Sequence, residues 1–284
     1  MKKILDSLLS ALLSFITPGL GQLRNGQLLK GILFFLLEYL IALFLIWIGL
    51  YKTFHGMILM VAICFGLLIF IIIDAFYIAF KTEIRIKKSY NKWPIYVLLI
   101  VLNVIFAGKF KSFINSNWLT AHKIPTSSME PTLKKGDYLI ADYHFYKNHP
   151  VLPGDVIVMW YPKNTELKYV ERCIAVGGQV VEIRDKNVYV DGKRFEDSLK
   201  TQFIDPNVYS EDYADPQIYP GYAGNRDNYG PVRVPDKQCF VLGDNRDNSS
   251  DSRFWGFVPL NLVLAKPLYV YWSPDKSRIG TYIN

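Results

Sequence analysis

Residues 124–133, IPTSSMEPTL, hold a serine in a setting suited to nucleophilic chemistry. Pro125 and Pro131 bracket the segment and disfavour a helix, so Ser128 can be presented on a fixed turn. Thr126 could aim its hydroxyl at the same place as the Ser128 amide, giving two donors to an oxyanion. A Ser/Thr-rich turn leading into a strand explains the same residues when they are considered alone.

Three further motifs follow in order, and they favour the catalytic interpretation. They are PGDVIVMW (153–160), YVERCIAVGG (169–178) and GDNRDNSSDSRFWGFVP (243–259). Together with the first segment, they resemble the type I signal peptidase family of bacteria, membrane-bound serine proteases that cut signal peptides from exported proteins. The resemblance covers residues 124–273 in four blocks. It implies transmembrane α-helices followed by a mostly β extracytoplasmic domain.

The resemblance also implies roles for individual residues. Ser128 corresponds to the nucleophile, Thr126 to the side-chain oxyanion donor, and Ser249 to a serine that orients the general base. Structural support is implied for four residues, with Met129 packed beside the nucleophile and the others holding the site: Met129, Arg172, Asp251 and Arg253. No cofactor and no metal are implied, and the Asp/Asn-rich fourth block lacks the Gly and Glu of an EF-hand loop.

One position departs from the family pattern. Where the family has its general-base lysine, this chain has Glu171. Burial lowers the pKa of a lysine but raises that of a carboxyl, so a buried Glu171 is expected to be neutral and an exposed one to be a weak base. Lys168 is expected to point to the opposite face of its strand. A lysine recruited from Lys134 or Lys135 is a further alternative, and the four histidines lie outside the third block.

Two hypotheses about function remain open at this point. In the first, the chain is an active serine endopeptidase that removes signal peptides after small residues of the Ala-x-Ala type. In the second, it is a catalytically silent relative that binds signal peptides or exported proteins without cleaving them. Both hypotheses give the chain the same partners, namely the signal peptides of exported preproteins and the membrane lipid. The residue type at position 171 separates the two hypotheses.

The elements that must position these residues follow a long apolar region. Of the 284 residues 51% are hydrophobic, and the mean hydropathy is +0.14. Residues 31–110 contain three apolar runs, at 31–50, 57–80 and 94–110, each predicted to be a transmembrane helix. Residues 1–30 are predicted to be an interfacial or re-entrant module, because Pro18-Gly19 interrupts the run at 8–23. Glu38 and Asp74 lie within the spans, where packing and function are both open.

The charges predict the orientation. The net charge is +7, and five lysine and arginine residues lie in the loop at 81–93. Positive loops stay in the cytoplasm, which places the N-terminus inside and residues 111–284 outside the bacterial cytoplasmic membrane. Because the basic loop is explained in this way, nucleic-acid binding is not expected.

The region after residue 136 predicts a β domain. Short runs rich in Val, Ile, Tyr and Phe alternate with Gly, Pro, Asn and Asp, and Asp191-Gly192 predicts a hairpin turn. Residues 195–235 are interpreted as an insertion with little regular structure. Cys173 and Cys239 are interpreted as buried free thiols, although a disulfide is possible in an oxidising compartment.

Overall fold

The computed structural model describes residues 2–82, 90–195 and 201–283. The chain divides into two compact units, residues 1–115 and 116–284. The first consists of apolar helices and the second of antiparallel strands, as expected for the fold class. The central part of the basic loop and five residues of the insertion, 196–200, lie outside the described residues.

The first unit contains five helices among the described residues. Helices α3, α4 and α5 are long and apolar enough to cross a membrane, while α1 and α2 are shorter. Membrane crossing itself stays a prediction. The bounds are α1 Lys2–Ile16, α2 Leu20–Arg24, α3 Leu28–Trp47, α4 Phe54–Lys81 and α5 Trp93–Asn117.

Helices α1 and α2 form a hairpin against α4. The turn uses Gly19 at a φ of 86°, and a Cβ there would overlap the Gly31 carbonyl, so only glycine fits. The serines of α1 are buried, whereas four of its leucines, Leu5, Leu8, Leu9 and Leu12, are exposed. Gln22 donates from Nε2 to the Ile71 carbonyl oxygen of α4 over 2.8 Å. The segment around Pro18 is therefore a helical turn between two packed helices.

Both ends of the hairpin lie near the C-terminal end of α4. The ammonium of Lys3 lies 5.2 Å from the ring centroid of Phe80. After the turn, the side chain of Asn25 donates to the Ala75 carbonyl oxygen over 2.8 Å. The hairpin therefore enters and returns on one side of the unit.

Two ion pairs lie among the described residues of the first unit. Arg24 lies 3.0 Å from Asp6, and Lys30 lies 2.6 Å from Asp74. Asp74 also accepts a hydrogen bond of 3.0 Å from Gln22. Unpaired charge is costly in an apolar surrounding, so these contacts assign Asp74 to the packing of α4 against α2 and α3.

The second unit contains two antiparallel sheets. The larger has the strand order β1-β2-β11-β3-β4-β9-β10 and the smaller β7-β6-β5-β8. Every run predicted as a strand lies in one of them. The bounds are β1 Leu119–Lys123, β2 Tyr138–Asp142, β3 Val156–Tyr161, β4 Asn164–Val176, β5 Val180–Arg184, β6 Asn187–Val190, β7 Lys193–Arg194, β8 Tyr229–Arg233, β9 Gln238–Leu242, β10 Val258–Pro259 and β11 Val263–Trp272, with short helices α6 Phe145–Asn148 and α7 Ser252–Trp255.

The predicted hairpin turn joins β6 to β7. Val190 pairs with Lys193, and the two turn residues, Asp191 and Gly192, have φ angles of 51° and 74°. Two consecutive positive φ values match the turn that suits strand twist, for which Asp-Gly is favoured. Cys173 and Cys239 are buried and free, in agreement with the favoured interpretation.

Candidate active site

A cavity of about 840 Å³ lies beside the IPTSS segment. Three strips of the chain line it. The first is residues 122–129, the second is residues 168–171 of β4, and the third combines residues 247–250 with Phe254 and Gln217. Val158 of the second motif also lines the cavity, which therefore joins all four sequence motifs, and the insertion contributes one residue.

Ser128 lies on a turn that the fourth motif holds in place. Its carbonyl oxygen accepts a hydrogen bond of 2.9 Å from the Asn245 amide. The side chain of Asn248 donates to the hydroxyl oxygen of Ser127 over 2.9 Å. The hydroxyl oxygens of Thr126 and Ser128 lie 3.2 Å apart and are exposed. The chain thus presents the Ser128 hydroxyl to the cavity with Thr126 beside it.

The other end of this turn is buried. Met129 and Leu133 are 1% and 0% exposed, and both pack in a core cluster with β2, β3 and β11. Apolar anchors directly after Ser128 fix its backbone, since moving the turn would expose them to water.

Two buried ion pairs fix the loop at 243–253. Arg172 donates from Nε and from one terminal nitrogen to the two carboxylate oxygens of Asp244, both over 2.7 Å. Arg253 binds both oxygens of Asp251 over 2.9 and 2.8 Å. Paired, bidentate geometry of this kind satisfies buried charges and fixes orientation. The predicted supporting residues are therefore placed where they can hold Ser249.

Gly243 is where the serine turn and this loop meet. A Cβ at Gly243 would lie 2.6 Å from the Ser128 carbonyl oxygen and would also overlap the Ser249 hydroxyl oxygen. The absence of a side chain at Gly243 is therefore what lets Ser249 approach Ser128.

Two buried polar atoms of the predicted catalytic residues have no hydrogen-bond partner among the described residues. They are Oε2 of Glu171 and Oγ of Ser249, in residues that are 2% and 8% exposed. Burial raises the pKa of the Glu171 carboxyl well above 4.5, and the carboxylates of Asp251 and Asp244 raise it further against the opposing charge of Arg253. Unpartnered buried groups are rare in folded proteins and require an explanation.

The region that contains these site residues matches a known protein family. A family model described as "Signal peptidase, peptidase S26" matches residues 93–272. The chain belongs to this signal peptidase family. The resemblance drawn from the four motifs is thereby confirmed for the family, while the roles of single residues stay predictions.

The matches to relatives in the signal peptidase family extend over most of each relative's length. The probable signal peptidase I-2 of Synechocystis sp. is 34% identical over 195 residues, which are 67% of this chain and 77% of the relative. The signal peptidase I of Aquifex aeolicus is 32% identical over 223 residues, covering 64% and 84%. The crystal structure of a signal peptidase I from Enterococcus faecalis has a TM-score of 0.30 and 25% identity, covering 42% of this chain and 97% of that one.

In this member of the signal peptidase family Glu171 is buried, which is the case for which the sequence analysis expects a neutral carboxyl. Its raised pKa keeps the carboxyl neutral over more of the pH range than an exposed glutamate. The same shift has a second consequence, because a carboxylate with a raised pKa is a stronger base once it is ionised. Burial therefore makes the Glu171 carboxyl less often ionised, but a stronger base than an exposed glutamate when it is ionised.

Lys168 was expected to point away from Glu171, but it still borders the cavity that Glu171 lines. Strand β9 pairs with β4 only from Arg172 onward, so residues 168–171 lie at an edge of the sheet where side chains of both faces border the cavity. The ammonium of Lys168 donates to the Tyr143 hydroxyl over 3.0 Å.

Other basic residues are candidates to replace the lysine that the family has at position 171. Lys134 pairs with Asp275 at 3.5 Å, and neither Lys134 nor Lys135 is in the cavity lining. His122 does line the cavity, although it precedes the motifs. Its pKa is lowered to about 4 by burial and by Lys168, and it lies 3.0 Å from the Tyr143 hydroxyl. His122 and Lys168 thus share the phenol of Tyr143.

Sequence reasoning missed two neutral polar residues of the lining, Gln217 and Asn248. Asn248 lies within a recognised motif, so its position was a signal that could have been used. Gln217 lies in the insertion, 32 residues before Ser249, and no local pattern marks it.

Proposed function

We propose that this chain is a serine endopeptidase of the signal peptidase I type, which removes signal peptides from exported preproteins after small residues. The observation that carries the proposal is the pair of unpartnered buried atoms, Glu171 Oε2 and Ser249 Oγ, in one cavity with Ser128. Hydrogen-bonding capacity that the fold leaves unused at a cavity is available to a reacting group.

The bound peptide would be an extended strand. Residues 122–123 at the end of β1 and 168–171 of β4 line the cavity as strand segments, and strand edges can bind a third strand through main-chain hydrogen bonds. The cleavage-site segment of a preprotein, with small residues at the first and third positions before the cut, suits a strand whose alternate side chains face pockets.

The proposed reaction is acyl transfer through Ser128. Its hydroxyl oxygen attacks the scissile carbonyl while the proton moves to the carboxylate of Glu171, with Ser249 orienting that carboxylate. Thr126 and the Ser128 amide donate to the oxyanion. Collapse of the intermediate breaks the C–N bond, and the proton from Glu171 goes to the leaving amine. Water then hydrolyses the acyl-serine ester and releases the signal peptide.

A second candidate function is favoured by one observation. The buried Glu171 carboxyl is surrounded by Asp244 and Asp251, which oppose its ionisation. A carboxyl that stays neutral cannot accept the serine proton, and the chain would then bind signal peptides or exported proteins without cutting them.

The membrane arrangement is also proposed. Helices α3, α4 and α5 cross the bacterial cytoplasmic membrane, with the N-terminus inside and the β domain outside. The α1–α2 hairpin is re-entrant, because its ends at Lys3 and Asn25 both contact the C-terminal end of α4. Membrane lipid would then face the exposed leucines of α1.

The deciding experiment uses the full chain in detergent or lipid with a peptide that carries an Ala-x-Ala cleavage site. We expect cleavage directly after the second alanine, loss of cleavage in Ser128→Ala, and retention in the matched control Ser127→Ala. Loss in Ser127→Ala alone would identify the wrong serine. Binding without cleavage in every variant would establish the silent relative, and neither binding nor cleavage would overturn both functions.

A further inference from the structure

Gln217 is a cavity residue that the four motifs do not contain. It comes from the insertion, yet it lines the cavity together with Ser128, Glu171 and Ser249. A side chain that reaches the proposed peptide site from a separate segment could add a contact that the motif residues do not provide.

The backbone at Gln217 is held firmly. Its amide donates to a carboxylate oxygen of Asp215 over 2.9 Å. The next residue, Ile218, is 4% exposed and packs in the core with β5, β8 and β9. Tyr219 donates from its amide to the Arg253 carbonyl oxygen over 2.7 Å. The position of Gln217 at the cavity is therefore fixed by a buried anchor and by the loop that carries Ser249.

Other described residues of the insertion are tied to the same loop. The amide of Gln202 donates to the Asp244 carbonyl oxygen over 2.8 Å, and the amide of Arg246 donates back to Gln202 over 3.0 Å. The guanidinium of Arg226 binds Asp227 and approaches Asp247, and both of those carboxylates are 1% exposed. A buried ion network and backbone hydrogen bonds leave this segment little freedom to move away from the cavity.

The side-chain amide of Gln217 is free to bind. It is exposed, and none of the described residues hydrogen-bonds it. A glutamine amide offers two donor hydrogens and an acceptor oxygen, which suits a polar side chain of either kind. The strand segments at 122–123 and 168–171 would bind the main chain of a bound strand, and Gln217 would then contact one of its side chains.

We propose that Gln217 is a specificity-determining residue, whose amide hydrogen-bonds a polar side chain at one position of the bound preprotein. The inference rests on the proposed binding of an extended peptide in this cavity. The insertion thereby takes part in substrate selection as well as in holding the loop of Ser249.

The test is a charge scan of the peptide. The full chain with Ser128→Ala binds a fluorescent cleavage-site peptide in which each position is replaced in turn by Asp and by Lys. Gln217→Lys and Gln217→Glu are added to this background. A partly exposed charge pair contributes up to about 1 kcal/mol, so we expect the Asp-to-Lys affinity ratio to change about fivefold at one position, in opposite directions for the two variants.

Tyr222 provides the matched control. It is 82% exposed, belongs to the same insertion and does not line the described cavity, so Tyr222→Lys and Tyr222→Glu carry equal charge changes without the contact. An unchanged ratio, or equal changes at all positions as in the Tyr222 variants, overturns the inference alone. Absence of peptide binding before Gln217 is changed overturns the proposed function and the inference with it.

Discussion

The hydroxyl oxygens of Thr126 and Ser128 lie 3.2 Å apart, within hydrogen-bond distance, at the open side of the cavity. This contact joins the proposed oxyanion donor to the proposed nucleophile before any peptide is bound. Thr126 would exchange Ser128 for the substrate oxygen when negative charge develops there, since a hydroxyl turns about its C–O bond at little cost.

Replacing Thr126 therefore tests the oxyanion role. Thr126→Val keeps the shape but removes the donor, and loss of one such donor typically lowers kcat by about 10²–10³-fold. Thr126→Ser keeps the hydroxyl and should retain most activity. Steady-state kinetics on the Ala-x-Ala peptide distinguish the two, and equal activity of Thr126→Val and the unsubstituted chain would remove Thr126 from the mechanism.

The role of Glu171 as general base is tested with two substitutions, Glu171→Gln and Glu171→Lys. If Glu171 is the base, Glu171→Gln should lower the cleavage rate by about 10²–10⁴-fold, the range of general-base catalysis. Unsubstituted activity should then rise with pH as the carboxyl with its raised pKa ionises. If the chain is a silent relative, Glu171→Lys alone should create cleavage, because the surroundings of the family lysine remain.

A third outcome would identify a general base other than Glu171. Cleavage that is unaffected by Glu171→Gln would assign the base to another residue, with Lys168 and His122 tested first because both line the cavity. Lys134→Ala and Lys135→Ala serve as controls, since neither lysine does.

The raised pKa of Glu171 predicts a pH dependence of stability. Folding keeps the carboxyl protonated above the unfolded value of 4.5, so the folded state binds more protons than the unfolded state. The free energy of unfolding should then fall as pH rises from 4.5 towards the folded pKa, by up to about 1.4 kcal/mol per pH unit. Glu171→Gln, which carries no such proton, should lose this slope.

Hydrogen exchange of the β9 amides in the full chain measures this effect locally. The difference between Glu171→Gln and the unsubstituted chain should grow as the pH rises above 4.5 towards the folded pKa, in favour of the glutamine variant. A difference that does not vary with pH would show that Glu171 is already ionised in the folded protein.

The close approach of Ser128 and Ser249 to Gly243 is tested by substituting Gly243 and, as a control, Gly221 with alanine. Gly243→Ala would place a methyl group against the Ser128 carbonyl oxygen, and overpacking of this kind typically destabilises a protein by about 1–3 kcal/mol. Cleavage should fall at least tenfold, because the displacement falls on Ser128 and Ser249. Gly221→Ala meets open space and should leave both stability and cleavage unchanged. Normal activity of Gly243→Ala would contradict the close approach.

The membrane arrangement predicts which loops can be labelled from outside. In a chain with Cys64→Ala, a cysteine at Lys52 should react with an impermeant maleimide added to intact cells, whereas a cysteine at Lys92 should react only after permeabilisation. The reverse result would place the β domain in the cytoplasm and end the proposed role in export.

Local patterns of the sequence were sufficient to predict the helices, the strands and a hairpin turn. Three long apolar runs predicted α3, α4 and α5, because a helix long and apolar enough to cross a bilayer is visible in composition alone. Alternating runs and the pair Asp191-Gly192 predicted strands and a turn, since side-chain direction and positive φ are local properties. The order of the motifs around Ser128 was sufficient for the family.

Contacts between distant segments were decided only by the tertiary structure. That Lys168 borders the cavity of Glu171 could not be foreseen, because alternation along β4 does not reveal where β9 stops pairing and the sheet acquires an edge. Gln217 went unnoticed because its place at the cavity depends on Ile218 in the core and on Tyr219 at Arg253. The environment of Glu171 likewise comes from Asp244 and Asp251, more than 70 residues away along the chain. Sequence determines residue type and local conformation, but burial, pKa and neighbours depend on the packing of segments that only folding brings together.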